Sequence, residues 1–491
     1  MSDPLPLRVI LAGHSIDTSL LEQLKQAAYS DGDPPPLESI TPETLSAAYA
    51  RISRNPAEIP ELRAAAREEV EKARKSNENI IFGLGHASVA EHACFNFDVV
   101  GISRLAVEQV EYHRLASFTE KSQRYIKLDG DIVIPPEIEE AGMTQTFRNL
   151  IQRQNSVYFE LYPKLVDYFE LILREEGEEK PKRAAKSRAA EDARYVVSLA
   201  TQAQFGMTIN ARTLEVMARR TLAHPLAEVR AFGSQLREAV TGLAPSLVKY
   251  VDATQYERHR HRQTRWWAAG AVPEGSEPDV QLVDYDEDAE QKVIAALLAR
   301  MKGDSYTGAM NRVREMNREK RERLVKEALL ANAPWDPAPR EFEIAHFTYE
   351  ITLSAAAFGQ LKRHRMASLL TGPYDPALGW TMPESVNEVG GAPLFDAVME
   401  TSAEFARELA HRTPAAAPYA LTNAHRRRVM FHASARELQH LSRLREDLHA
   451  QWDIRIIAKE MIRLARQQAP LLLLLAGGKH EFDRLINRLQ E

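Results

Sequence analysis

Gln109-Val-Glu-Tyr112-His113-Arg114-Leu-Ala-Ser117 and, further along the chain, Gln360-Leu-Lys-Arg363-His364-Arg365-Met-Ala-Ser368 share a Gln, a His-Arg pair and an Ala-Ser pair at identical spacing. Such a spaced identity is hard to obtain by chance, and it reads as an internal duplication. Each stretch follows a run of alternating apolar residues, Phe95, Phe97 and Val99 in the first copy and Phe347, Tyr349 and Ile351 in the second. Both runs predict half-buried strands leading into a helix. The correspondence continues downstream. Asn210-Ala-Arg212-Thr-Leu matches Ser434-Ala-Arg436-Glu-Leu, and Arg220 with His224 matches Arg445 with His449 to within one residue. Pro225 in one copy and Asp447 in the other are expected at the start of a following helix, the proline as a first-turn residue and the aspartate as a cap.

Around this core the pattern is mainly helical, with candidates at 61–76, 145–174, 189–205, 226–243, 287–301, 309–331, 395–411 and 450–467. Leu7-Arg8-Val9-Ile10-Leu11 reads as a first strand. The acidic, proline- and glycine-interrupted stretch through Pro273, Gly275, Pro278, Asp279 and Asp284 to Glu290 is expected to bury little and to separate the copies. The predicted organisation is a first domain over 1–270, a linker over 271–290 and a second, diverged domain over 291–491. The fold class follows as α/β in the α+β sense, with helices packed around a small antiparallel sheet in each copy.

The 491 residues carry 63 Lys plus Arg against 69 Asp plus Glu, a net charge of −6. That balance argues against a general nucleic-acid or anionic-membrane binder. With 44% hydrophobic and 27% charged residues the chain has enough apolar surface to fold. One cysteine, Cys94, excludes an intramolecular disulfide and any Cys-rich zinc site. The apolar run Leu471 to Gly478 is too short to span a bilayer, which takes roughly 20 residues, and predicts a buried helix end. The start of the chain lacks the pattern of a secretory signal, so a cytoplasmic address is expected.

The chemistry of the shared motifs points to anions. On a helix Gln109 and His113 share a face, as do Gln360 and His364, while Arg363 and Arg365 diverge by about 200° and suit two separate anions. An isolated Arg-His-Arg reads more simply as a solvated helix end favoured by the macrodipole; its recurrence in a duplicated setting favours a ligand. Ser122 and Arg124, two apart, point the same way if extended, and a hydroxyl beside a guanidinium suits a phosphate. Nothing near Ser122 marks an activated nucleophile. His86-Ala-Ser88-Val-Ala-Glu91-His92 matches neither the zinc-helix spacing nor its inverted form, and no metal is expected. It reads as a histidine and carboxylate pair binding a polar ligand, or as a hydrogen-bonded pair at the strand entrance. Arg258-His-Arg-His-Arg262 before Trp266 and Trp267 reads as a solvated surface or subunit contact rather than a nucleic-acid patch.

Taken together, His86-x-Ser88-x-x-Glu91-His92, a strand, Gln109-x-x-x-His113-Arg114-x-x-Ser117-x-x-x-x-Ser122-x-Arg124-Tyr125 and then Asn210-x-Arg212 with Arg220 resemble the flavin-dependent thymidylate synthase family. The resemblance covers nearly all of the first copy. In the second it rests on Arg363-His364-Arg365-x-x-Ser368 and on Arg436 to Trp452. It implies FAD as cofactor, NADPH and methylenetetrahydrofolate as co-substrates, and methylation of dUMP to dTMP without an enzyme nucleophile. By the same resemblance His86, Ser88, Glu91, His113, Arg114, Asn210, Arg212, Arg363, His364 and Arg365 hold flavin. Gln109, Ser122, Gln123, Arg124, Arg194 and Arg220 hold the nucleotide, with Arg220 as the catalytic residue polarising the uracil. Arginines as counter-charge fit a chain without a Gly-rich phosphate loop.

The departures are as informative. Tyr112 replaces the first arginine of the family triplet, the second copy has no Ser-x-Arg, Ser434 stands for the asparagine, and Pro418 falls where Arg194 aligns. Of the His86, Glu91 and His92 set the second copy keeps only Glu343. Family members are homotetramers with shared sites, so a duplicated chain is expected to form a homodimer imitating that tetramer. Ser122, Arg124 and His86 of one copy are expected to combine with Arg363-His364-Arg365 of the other, halving the sites. The alternative is a diverged flavin- or nucleotide-binding paralogue that has lost the synthase reaction or alkylates another pyrimidine. A third is an assembly protein whose arginines bridge subunits.

Overall fold

The computed structural model describes residues 5–29, 37–124, 131–268 and 278–490. Tyr125, residues 271–277 of the expected linker and the side chains of 262–268 lie outside what is described. The fold class is as expected: helices and two four-stranded antiparallel sheets, built on the same plan. The first sheet has the order β1-β2-β4-β3, from β1 (Arg8–His14), β2 (Cys94–Ser103), β3 (Ala116–Glu120) and β4 (Gln202–Asn210). The second has the order β5-β6-β8-β7, from β5 (Val280–Tyr285), β6 (His346–Ser354), β7 (Ser368–Tyr374) and β8 (Arg426–Ser434).

The alternation in the sequence sets which face is covered. Phe95, Phe97 and Val99 are buried while Asn96 and Asp98 face out, and Phe347, Tyr349 and Ile351 are buried in the second sheet. A strand with period two and one apolar face presents that face to packed helices. The duplication extends to register. Cys94 pairs with Asn210 and Ser117 with Thr208; His346 pairs with Ser434 and Ser368 with His432. A slip by one residue would turn every buried aromatic outward, which is why register survives divergence of the side chains. The sheets differ at Gly101, where β2 bulges between Val100 and Ile102. Gly101 has φ of 74°, and a Cβ there would sit 2.4 Å from the Pro6 carbonyl oxygen, so glycine alone fits.

Several expectations change. The helix over 189–205 is instead a helix Pro181–Ala193, a 3-10 turn and then β4, because Ala203, Phe205, Met207 and Ile209 alternate inward with period two. The helix over 309–331 breaks at Asn317, whose side chain caps Arg318–Leu329 by accepting from Lys320 N. Asp447 does not cap the helix Trp452–Gln468; Gln451 does, by accepting from Ile454 N. The acidic stretch is also not structureless where it is described. Val280 to Tyr285 forms edge strand β5 along β6, and Asp286 accepts from His346 N at 2.9 Å and Lys292 Nζ at 2.7 Å. Alternation of Val280 and Leu282 suffices for an edge strand, which tolerates acidic neighbours facing water.

The chain divides into two compact units whose membership is not contiguous. The first comprises Met1–Ser156, Ser198–Ala271 and Glu404–Ala420; the second comprises Val157–Val197, Val272–Ala403 and Leu421–Glu491. Each unit therefore contains a segment from the other sequence copy. In the first unit Ser103 caps the helix Arg104–Glu111 and donates its hydroxyl to Glu228 at 2.7 Å, and Tyr419 donates to the same carboxylate at 2.6 Å. In the second unit Ser354 caps the helix Ala355–Leu361 and donates to Asp453 at 2.5 Å, and Tyr195 donates to Asp453 at 3.0 Å. Burial pushes both carboxyls up, against the hydroxyl donors that hold them.

No helix among the described residues is long and apolar enough to cross a membrane. The run from Leu471 sits in a buried 3-10 turn, Pro470–Leu473, after the helix Trp452–Gln468.

Candidate functional site

Both sheets carry an ion pair at the same place. Asn210 ends β4 and caps the helix Ala211–Leu222 by accepting from Thr213 N at 2.8 Å. The cap fixes the first turn, so that Arg212 meets Glu91, which lies three residues before β2. In the second unit Ser434 caps the helix Ala435–Arg445, and Arg436 meets Glu343 at 2.7 Å, three residues before β6. The first pair is half-exposed. His86 and Ser88 are exposed beside it, at the entrance to the 3-10 turn Ala87–His92. His92 packs edge-on against Tyr49, with ring centroids 4.8 Å apart. Among the described residues no group of three or more His, Cys, Asp or Glu is placed to hold a metal ion.

The duplicated triplets lie in turns rather than on helices. The helices end at Glu111 and Leu361, so His113 and His364 follow them, and the expected divergence of Arg363 and Arg365 around a helix is not how they are set. In the turns Arg363 and Arg365 are exposed and His364 is buried, as Tyr112 and Arg114 are exposed and His113 is buried.

The two buried imidazoles are paired differently. His113 Nδ1 lies 3.0 Å from the Val110 carbonyl, which only accepts, so Nδ1 carries the proton. Its Nε2 is buried without a hydrogen-bond partner. Burial, reinforced by the nearby Arg220, lowers the His113 pKa to about 4, so the ring is neutral. In the second unit His364 Nδ1 lies 2.8 Å from Glu437 Oε1, and Arg445 Nε donates to His364 Nε2 at 3.0 Å. Arg445 Nη1 also reaches Gln360 Oε1 at 3.4 Å. Burial holds His364 below its ordinary pKa although Glu437 pulls the other way.

Arg220 and Arg445 are not at the same register. Arg220 lies ten residues after Asn210 and Arg445 eleven after Ser434, an offset of about 100° around the helix. Thr221 stands at the position matching Arg445, and it bonds back to the Met217 carbonyl at 2.7 Å. Arg220 accordingly faces elsewhere: its Nε is 3.6 Å from Glu257 Oε1, and the buried Glu257 carboxylate also takes Arg260 Nη1 at 3.0 Å.

The remaining nucleotide candidates are divided. Gln109, half-buried, stands on the helix Arg104–Glu111 in the first unit. Ser122, Gln123 and Arg124 follow β3, and Arg124 N donates to Ser122 Oγ at 3.2 Å. That bond closes a turn, so Ser122 and Arg124 are not on one side of an extended strand. Arg194 belongs to the second unit, where it is buried and donates Nε to the Glu191 carbonyl at 3.2 Å, while its backbone carbonyl accepts from Asn423 Nδ2 at 3.0 Å.

Taken unit by unit, the exposed donors are of the kind a pyrophosphate or a polar ring edge takes up: the Arg212 guanidinium, His86 ring and Ser88 hydroxyl in the first unit, and the Arg363 and Arg365 guanidiniums in the second. His364 fits such a ligand less directly, because both ring nitrogens are engaged within the protein. Sequence reasoning missed Glu437, Glu257 and the tyrosines at Glu228 and Asp453. Glu437 was signalled by its replacing Thr213 inside a matched motif; the others lie outside any motif.

The profile of the family described as "Thymidylate synthase complementing protein" matches residues 37–246 and 281–471. A flavin-dependent thymidylate synthase of Clostridium tetani is 33% identical over 212 residues, covering 43% of this chain and 82% of that protein. A "UPF0159 protein" of Chlamydia muridarum is 25% identical over 426 residues, covering 82% of this chain and 80% of its own length. Among solved structures, a UMP/dUMP methylase, PolB, from Streptomyces cacaoi bound with 5-Br dUMP is 18% identical with a TM-score of 0.35, covering 50% of this chain and 94% of that one.

Proposed function

The chain belongs to the flavin-dependent thymidylate synthase family, and from that premise we propose that it methylates dUMP to dTMP with FAD, NADPH and methylenetetrahydrofolate. The observation that carries the reading is the match of one family profile to both halves, with the Glu91–Arg212 pair of the first repeated as Glu343–Arg436 in the second. When bound, flavin supplies the redox and carbon-carrying chemistry, and the protein positions and polarises. The exposed arginines at 114, 212, 363 and 365, with His86, Ser88 and Glu91, are the flavin-holding set. The resemblance counts His113, Asn210 and His364 among the flavin-holding residues too; here they are two buried rings and a helix cap. Gln109, Ser122, Gln123, Arg124 and Arg194 are the nucleotide-holding set.

By resemblance to the family, polarisation of the pyrimidine falls to Arg220. A second reading, favoured by the hydrogen bonds of Arg445 to His364 and Gln360, gives that role to Arg445. Neither mechanism requires an enzyme nucleophile. Release of tritium from C5-labelled dUMP in the presence of NADPH tests the reaction. No release, with dUMP still bound, replaces it by the diverged binding protein. No bound flavin after purification removes both. Arg220→Gln and Arg445→Gln separate the two arginine assignments by which one lowers release. We propose a homodimer acting in the cytoplasm, which sedimentation tests.

A further inference from the structure

The proton positions of the second unit are fixed by elimination. An arginine Nε–H only donates, so His364 Nε2, 3.0 Å from Arg445 Nε, is the unprotonated nitrogen. The proton of the neutral ring then sits on Nδ1, where Glu437 Oε1 takes it at 2.8 Å. Glu437, His364 and Arg445 thus form a directed chain, carboxylate to imidazole to guanidinium, with Gln360 as the last acceptor at 3.4 Å. The His364 side chain is 1% exposed and that of Glu437 7%, so water does not compete for these bonds.

The first unit supplies the internal control. Its histidine holds the same tautomer, but Thr213 replaces Glu437, Thr221 replaces Arg445, and the Val110 carbonyl takes the ring proton instead. His113 Nε2 is left without a donor. The second copy has a carboxylate anchor and a guanidinium at these two positions, and the first copy has threonine at both.

We propose that Glu437 is a positioning residue: it fixes the His364 tautomer and, through it, aims the Arg445 guanidinium at the nucleotide. This rests on the nucleotide reading given above. A buried carboxylate holding Nδ1–H makes Nε2 a stronger acceptor, so the arginine is held in one orientation before the ligand arrives. Glu437 itself touches no ligand.

The test is titration of dUMP into the full-length chain and its variants. A hydrogen bond to a charged group corresponds to roughly a tenfold to hundredfold change in affinity, so Arg445→Gln is expected to weaken dUMP binding by about that much. Glu437→Thr, which installs the residue of the first copy, is expected to weaken it about tenfold. Glu437→Gln keeps an oxygen for Nδ1–H and is expected to stay within about threefold of wild type. The decisive arm is the double variant. If Glu437 acts only through Arg445, then E437T adds nothing in the R445Q background, whereas a merely structural role multiplies the two losses. Wild-type affinity in E437T, a loss in E437Q as large as in E437T, or multiplying losses each overturn the proposal while leaving the nucleotide reading intact. A wild-type chain that binds no dUMP overturns both. Should the threonine variant not fold, Glu437→Asp shortens the arm by one methylene, with the same expected loss and the same overturning results.

Discussion

The Tyr419 hydroxyl donates to the buried Glu228 carboxylate across 2.6 Å, joining a residue of the second sequence copy to one of the first inside a single compact unit. Tyr195 does the same for Asp453 in the other unit. Removing one donor from a buried carboxyl costs about 1–3 kcal/mol. Tyr419→Phe is therefore expected to lower the unfolding free energy by that amount, read as a lower urea midpoint at an unchanged slope. An unchanged midpoint would show that the hydroxyl contributes nothing net.

Acid sensitivity follows from His113. Its folded pKa of about 4 lies below the ordinary 6.5, so between those values the unfolded chain binds more protons than the folded one. Stability is then full above pH 6.5 and falls as pH drops toward 4. His224, lowered to about 3 by burial, adds in the same direction. Melting temperatures measured from pH 7 to 4 are expected to fall less steeply in His113→Gln than in wild type.

Arg212 and Glu91 are half-exposed, so their pair is worth at most about 1 kcal/mol. Arg212→Gln should leave the melting temperature nearly unchanged while reducing flavin retained after gel filtration. A large fall in melting temperature with full flavin would assign the pair to folding alone.

Flavin absorbance per chain tests the sharing of sites between the copies. One flavin per chain is expected if complementary losses in the two copies leave one complete set. Two per chain would show that each copy is sufficient.

Sequence alone determined the duplication, the period-two strands and their inward aromatics, because burial of Phe95, Phe97, Phe347 and Tyr349 is enforced by side-chain alternation along the chain itself. It also determined the family, since His86 to Arg124 and Arg436 to Trp452 are contiguous motifs. Only the tertiary structure decided that Tyr195 and Tyr419 each complete a unit built mainly from the other copy, that Arg194 belongs to a different compact unit from Ser122 and Arg124, and that Glu437 rather than a backbone carbonyl holds the second buried histidine. Those relations join residues far apart in the chain, where spacing carries no signal. They exist because a buried carboxylate or imidazole must find a partner in three dimensions wherever the fold brings one within reach.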